Sequence, residues 1–240
     1  MDYKYNAIIL EKYDIAEIDR IYTLYTLEAG KIRVIGKGVR RPNAKLAGNL
    51  EPITQAEVFI AKTKGTGKIT GAIVTHNFNS VKSTLVLAEN VFYALKIFKK
   101  LIHDQEKDEN IFYLLESFLE SAEDLKGKEN IEEKAKLITL GFLYKLLSEL
   151  GYKLEAERCA DCGQKLKPAG NYFSAVRGGV LCPNCLKNES RRVAISSESI
   201  KILRIFLNNK IKNLNKLKVS PKEIKILSAI LKDFLQWIAN

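Results

Sequence analysis

Two short motifs, Cys159-Ala160-Asp161-Cys162 and Cys182-Pro183-Asn184-Cys185, contain every cysteine of this 240-residue chain, and 19 residues separate them. A CxxC turn presents two thiolates to one metal ion. A second turn at this separation completes the tetrahedral set of bonds, about 2.3 Å long, that structural zinc prefers. The stretch therefore predicts a zinc ribbon in which a structural Zn²⁺ ion is bound by Cys159, Cys162, Cys182 and Cys185.

Other interpretations of the four cysteines stay open at this point: two disulfides, an iron–sulfur cluster, or a site that has lost its metal. Disulfides are typical of secreted proteins, and the chain contains no apolar run as long as a signal peptide or a membrane span. A catalytic zinc ion usually has His or carboxylate ligands, and no His lies within 50 residues of the cysteines. We therefore expect a cytoplasmic protein whose reduced thiols are available to metal.

The first 80 residues show the pattern of β-strands. Short runs rich in Ile, Val, Tyr and Thr are separated by turn residues; the runs are 5–12, 20–27, 31–37, 56–62 and 68–76. Five strands in such a length suit a small closed barrel. Periodicity alone leaves both an OB-fold and an SH3-like barrel as candidates.

The remainder of the chain is predicted to be mainly helical. Apolar residues recur with helical period over 80–101, 109–124, 131–150, 196–208 and 220–239, and a short hairpin is expected at 172–180 between the cysteine motifs. The predicted fold class is α+β. Its expected parts are a five-stranded barrel at 1–80, a helical domain in two pieces at 81–158 and 186–240, and an inserted four-cysteine module at 159–185.

The charge is strongly positive and unevenly distributed. The formal net charge is +11, made up of +4 in residues 1–80, −3 in 81–158, +2 in 159–185 and +8 in 186–240. A surplus of this kind favours a polyanionic partner, nucleic acid first and an anionic membrane second. The cations of 186–240 are equally compatible with a binding surface and with a merely solubilising role.

The most specific basic segment is the loop at 36–45, whose cations are flanked by glycine and proline. Such a loop can approach a phosphate closely, and guanidinium groups bind phosphate through two hydrogen bonds. In the preceding strand cations alternate with Ile32 and Val34, so one face is predicted to be basic. The expected DNA-binding residues are Lys31, Arg33, Lys37, Arg40, Arg41 and Lys45. Tyr22 and Tyr25 on the neighbouring strand are expected either to stack on bases or to lie in the core.

These motifs, in this order, resemble the RecO family of DNA repair and recombination mediators over essentially the whole chain. The resemblance rests on the strand 5–10, the run 30–42, Leu50-Glu51-Pro52, Cys159-x-x-Cys162-Gly163 and Gly178-Gly179-Val180-Leu181-Cys182-x-x-Cys185. It implies an N-terminal OB-fold, a helical C-terminal domain and a zinc module that some relatives lack.

The same resemblance implies a function in recombinational repair. A member of this family would bind single- and double-stranded DNA and anneal complementary strands. It would act with RecR and the single-strand-DNA-binding protein, so that RecA is loaded onto coated DNA. Annealing requires neutralised phosphates and no catalytic residue, so we expect a protein associated with the nucleoid that is not an enzyme.

Three competing functions are compatible with parts of the sequence. A nucleic-acid-processing enzyme would need a cluster of metal-binding carboxylates, whereas Glu116, Glu120, Glu123 and Asp124 are predicted to lie on the solvated side of a helix. OB-folds and zinc ribbons also bind RNA, which makes an RNA-binding protein the second candidate. The third is a protein-interaction scaffold, which would show no salt-dependent DNA binding.

Overall fold

The computed structural model describes residues 2–15, 17–42, 44, 46–61, 66–152, 154–188 and 191–239. The chain forms two compact units, Met1–Lys126 and Gly127–Asn240. The strands of the N-terminal barrel and the helices that follow it belong to the first unit, and the cysteines belong to the second. Within the described residues, no helix combines the length and apolar character needed to cross a bilayer.

A closed barrel forms the N-terminal part of the first unit. Its strands are β1 (Asp2–Asp14), β2 (Arg20–Thr26), β3 (Gly30–Gly36), β4 (Thr54–Ala61) and β5 (Gly67–His76). The strand order is β1-β2-β3-β5-β4; β4 pairs with β1 to close the barrel, and β3 runs parallel to β5. This is the five-stranded arrangement of an OB-fold. The predicted strands and the predicted OB-fold are confirmed.

Alternation along the strands fills the barrel. Successive side chains point to opposite faces, so Leu24 and Tyr22 enter the core while Thr23 and Tyr25 face outward. Inside, these two residues pack with Ile9, Val34 and other apolar side chains. Tyr22 is fully buried, so the structure places it in the core and not in a position to stack on bases.

Three helices of the first unit follow the barrel: α1 (Asn79–Ser83), α2 (Leu85–Leu101) and α3 (Glu109–Glu123). The helix expected over 80–101 is therefore divided, because Thr84 is extended between α1 and α2. Helices α2 and α3 cover part of the outer face of the barrel. Tyr25 is buried there, with its ring 5.0 Å from the Phe98 ring and 6.3 Å from the Phe112 ring, which removes it as a stacking platform.

The second unit is built around α4 (Ile131–Glu149), whose side chains from Leu137 to Tyr144 are all buried. A helix that is apolar on every side must be surrounded, and α5 (Ser197–Asn208), α6 (Pro221–Ile238) and the 3₁₀ helix Ile211–Lys216 pack against it. The Tyr144 hydroxyl donates to the Leu227 carbonyl at 2.8 Å. Helices α3 to α6 were each expected from the sequence and are present.

A small sheet completes the second unit. Its strands are β6 (Asn171–Ser174), β7 (Gly179–Leu181) and β8 (Val193–Ile195), in the order β7-β6-β8, and a 3₁₀ helix, Pro183–Asn188, follows β7. The hairpin expected at 172–180 is the β6–β7 pair. The domain limits drawn from the sequence, 1–80, 81–158, 159–185 and 186–240, remain predictions; the compact units themselves divide after Lys126.

Candidate metal centre and nucleic-acid interface

The four cysteines converge as the spacing predicts. Their sulfur atoms all lie within 4.8 Å of one another, and the Cys162 and Cys182 sulfurs are 3.9 Å apart. Four sulfurs placed tetrahedrally about one ion at 2.3 Å would be about 3.8 Å apart. Among the described residues these are the one group of three or more His, Cys, Asp or Glu side chains placed to share an ion. The donor set therefore fits a single four-coordinate metal ion.

Backbone hydrogen bonds shape the two cysteine turns. The Gly163 N–H donates to the Cys159 carbonyl at 2.9 Å, and Gly163 has a φ of +71°, a conformation that glycine adopts without steric cost. In the second turn the Cys185 N–H donates to the Cys182 carbonyl at 3.1 Å. The two turns are joined because the Cys182 N–H donates to the Cys159 sulfur at 3.4 Å. The glycine that follows the first motif is thus explained by the turn.

The electrostatics of the cluster favour a bound cation. Burial raises the pKa of the Cys159 thiol, but backbone N–H groups of Cys162, Cys182 and Asp161 that donate to its sulfur lower that pKa overall, to about 6. Hydrogen bonding with Cys162 instead raises the pKa of Cys185 above its ordinary value. Without an ion, ionisation of Cys159 is therefore favoured over ionisation of Cys185. A divalent metal ion stabilises all four thiolates together.

The cysteine module is attached to the helices of its own unit. The Phe173 ring of β6 meets the Phe234 ring of α6 edge-on, with centroids 5.9 Å apart. Beside them the Arg191 Nε donates to the Asp233 carboxylate at 2.7 Å. Cys159 and Cys182 are 2% and 4% exposed. An ion bound here would hold together strands that pack directly on α6.

Among the predicted DNA-binding residues that the structure describes, Lys31 is the one that is buried. Its ammonium donates to the Lys99 carbonyl at 2.9 Å and to the Ile102 carbonyl, and it forms an ion pair with Asp104 at 3.1 Å. The carbonyls at the end of α2 have no partner within the helix, so a cation stabilises them there. Strand alternation correctly put Lys31 on the outer face but did not reveal that α2 covers this position. We therefore withdraw Lys31 from the DNA-binding set.

The other predicted cations that the structure describes lie at the surface of the first unit. Arg33, Lys37 and Arg41 are exposed and have no ion pair with any described residue. Arg40 is also exposed, and its Nε lies 3.3 Å from the Asp14 carboxylate. Lys45 lies outside the described residues. The loop is held in place because the Gly38 N–H donates to the Asp19 carboxylate at 2.7 Å.

Sequence analysis did not identify a second group of cations, on α2. Lys96 and Lys100 are exposed and, with Arg33, line an open cleft of about 510 Å³ between α2 and the barrel strands. Phe92 lines the same cleft and is 49% exposed. The signal available in the sequence was an aromatic residue, Phe92, that lies outside the apolar stripe of an amphipathic helix and one turn from Lys96.

Two of the four acidic residues singled out in the sequence, Glu116 and Glu123, have structural partners. The Glu123 carboxylate accepts hydrogen bonds from the Ser80 and Val81 N–H groups, both at 2.9 Å, and so stabilises the start of α1. Glu116 accepts from the Gln55 amide at 2.6 Å. Glu120 and Asp124 are exposed, as expected of the solvated side of the helix, whereas Glu116 and Glu123 are half-buried.

Comparison with known proteins assigns the family. The family models for the N-terminal and C-terminal regions of recombination protein O match residues 1–78 and 90–238. A protein of Dehalococcoides mccartyi named DNA repair protein RecO is 33% identical over 239 residues, which cover 99% of this chain and 90% of that protein. This chain belongs to the RecO family. Proteins of the same name from Desulforamulus reducens and Roseiflexus sp. are each 27% identical over 98% of this chain, covering 89% and 81% of their own lengths.

Membership of the RecO family agrees with the order of parts in this chain. The N-terminal match ends at residue 78, just after β5, and the C-terminal match includes α3 to α6 and all four cysteines. The resemblance drawn from residues 30–42 and from the cysteine motifs is confirmed.

Proposed function

We propose that this RecO family DNA repair protein is a non-enzymatic recombination mediator that binds single- and double-stranded DNA and anneals complementary strands. The observation that carries the proposal is the exposed set Arg33, Lys37 and Arg41 on an OB-fold, none of which is neutralised by a described side chain. A cation without an internal partner is available to a phosphate.

Phosphate contacts explain how such a surface would anneal DNA. Two complementary strands repel each other, and cations bound to their phosphates reduce this repulsion while the base edges remain free to pair. Contacts of this kind are independent of sequence and weaken as salt rises. Arg33, Lys37, Arg40 and Arg41 are the residues that we assign to this work; Lys45 is retained from the sequence alone.

The partners follow from the family and are part of the proposal. We expect the protein to act with RecR on DNA coated by the single-strand-DNA-binding protein, at the nucleoid, and thereby to help RecA load. The relatives named DNA repair protein RecO support the repair context.

Zn²⁺ is the ion that we propose for the cysteine cluster. Four thiolate ligands in a closed set are typical of structural zinc. Cys159, Cys162, Cys182 and Cys185 would hold it, and the bound ion would cross-link the two turns. No ligand position is left for a water molecule or substrate, so we propose a stabilising and not a catalytic ion.

A strand-annealing assay on DNA precoated with single-strand-binding protein, with and without RecR, tests the proposal. We expect annealing that falls with salt and responds to RecR. Replacing Arg40 and Arg41 by Ala should weaken binding to both single and double strands and reduce the slope of log affinity against log salt by up to about 1.8 on duplex DNA, since each lost phosphate contact removes about 0.9. Unchanged binding in the double variant would remove the loop from the interface.

The competing functions give different results in the same preparation. Tighter binding to RNA than to single-stranded DNA of the same length would favour an RNA-binding protein. Magnesium-dependent strand cleavage by the pure protein would favour an enzyme. A wild-type protein that neither anneals complementary strands nor binds RecR would overturn the proposed function.

A further inference from the structure

The cleft between α2 and the barrel has features that phosphate binding alone does not explain. Along α2, Phe92, Lys96 and Lys100 follow one another at intervals of four residues, so they share one helix face. Across the barrel, Glu11, Thr23 and Arg33 form one row, because Glu11 pairs with Thr23 and Thr23 with Arg33. The helix face and the strand row line the same cleft.

Aromatic rings form part of the cleft wall. Phe92 is 49% exposed, and Tyr13, two residues beyond Glu11 on the same face of β1, is 39% exposed. Exposing a large aromatic side chain to water is unfavourable, and bases of a single strand stack on such rings in OB-fold proteins. A ring that is open beside cations is therefore suited to a base whose phosphate lies next to it.

The charges in the cleft also suit a nucleotide whose base is unpaired. Arg33, Lys96 and Lys100 have no ion pair with a described residue, whereas the Glu11 carboxylate is already neutralised by Lys99 at 2.5 Å. Three uncompensated cations around two exposed rings match a phosphate chain that carries unpaired bases.

The floor of the cleft contains an unmet hydrogen bond. Thr23 is 4% exposed, and its hydroxyl has no hydrogen-bond partner among the described residues. The oxygen is enclosed by the surrounding atoms, so Thr23 forms part of the closed floor of the cleft and does not itself contact a bound molecule. The cleft volume of about 510 Å³ lies in the range typical of ligand sites.

We propose that this cleft is a single-strand-selective subsite, in which a base stacks on Phe92 while Arg33, Lys96 and Lys100 bind the adjacent phosphates. The inference rests on the proposed function and assigns one part of the surface to unpaired DNA. The Lys37–Arg41 loop contacts phosphate only and accepts either form of DNA, whereas the cleft requires a base that is not paired. The protein would thus hold a strand with its bases separated before a complement arrives.

Matched substitutions on α2 provide the test. Tyr93 is next to Phe92 and is also 49% exposed, but it does not line the cleft. Phe92→Ala, Phe92→Trp and Tyr93→Ala should be compared by fluorescence anisotropy with a labelled oligothymidine and with a labelled duplex, after thermal melting shows that each variant is folded. Phe92→Ala should weaken oligothymidine binding about five- to 160-fold, the range expected for one stacked base, and duplex binding less than about twofold. Phe92→Trp should restore binding, and Tyr93→Ala should resemble the wild type.

Other outcomes separate the subsite from the function. If the wild type binds both DNAs and Phe92→Ala binds them equally well, the subsite is overturned and the proposed function stands. An equal loss on oligothymidine and duplex also overturns it, because stacking is then not involved. An acidic peptide that competes with oligothymidine and needs Phe92 for its own binding would show that the cleft docks a protein tail instead. Wild-type protein that binds neither DNA overturns the proposed function itself. If Phe92→Ala does not fold, Lys96→Ala and Lys100→Ala carry the same comparison.

Discussion

The cysteine cluster and the basic face of the barrel are both built from side chains with a strong preference for a partner, and they differ in where that partner is. In the cluster, four sulfurs within 4.8 Å of one another face a common centre, and two of them are buried. On the barrel, Arg33, Lys37 and Arg41 are exposed and form no ion pair with a described acid. The comparison teaches that a closed ligand set serves the fold, whereas unpaired charge at the surface is available to another molecule.

Removing one cysteine ligand should have the largest effect, because it opens the closed ligand set. Cys182→Ala is expected to abolish stoichiometric zinc and to destabilise the second unit by several kcal/mol, since structural zinc peptides gain about 10–16 kcal/mol from their ion. Metal analysis and thermal melting measure both effects. Arg177→Ala, which removes the 3.5 Å ion pair with Asp161 and leaves all four sulfur ligands in place, should keep the zinc. Intact stability with lost DNA binding would show that the cysteine module contacts DNA.

Lys31 gives an intermediate effect, because it is a cation of the barrel that has internal partners. Lys31→Met should lower the free energy of unfolding by about 1.5–3 kcal/mol, the range for hydrogen bonds to a charged group. It should leave the salt slope of DNA binding unchanged. Chemical denaturation and salt titration separate the two quantities, and Lys37→Met is the matched control that should behave in the opposite way. A reduced salt slope in Lys31→Met would return this residue to the interface.

Asp14 is the acid that pairs with Arg40 of the basic loop, and replacing it should have the smallest effect of the three changes. Hydrogen bonding from the Arg20 guanidinium holds the pKa of Asp14 below its ordinary value, so the carboxylate stays ionised at neutral pH and keeps Arg40 paired. Asp14→Asn should remove the ion pair with Arg40 and, because one negative charge beside the loop is lost, strengthen duplex binding about two- to fivefold at low salt. Affinity should not vary with pH through this group, because its charge is lost only in acid below the ordinary carboxyl range. Glu129→Gln is the charge-matched control in the second unit, and an equal gain there would indicate a general charge effect.

The sequence predicted elements with strong local signals. The five strands, four of the five expected helices and the convergence of the cysteines follow from periodicity, turn residues and spacing, and each is present; the helix expected over 80–101 is divided at Thr84. The positions that were missed depend on packing between distant parts of the chain. Lys31 is covered by the end of α2, about 70 residues later, and Tyr25 by the rings of Phe98 and Phe112. Phe92 was missed because helical periodicity identifies the buried apolar stripe of α2 and assigns no role to residues outside it.

The burial of α4 on every side has a consequence for synthesis of the chain. The first unit is complete once residue 126 has been made, whereas the apolar surface of α4 remains uncovered until α5 and α6 have followed. At about 5–20 residues per second, the stretch from the end of α4 to the end of α6 takes roughly 5–20 s to translate. During that interval a finished barrel is joined to an exposed helix rich in leucine. Aggregation of a nascent or truncated chain should therefore begin at α4, and a ribosome-associated chaperone would act there first.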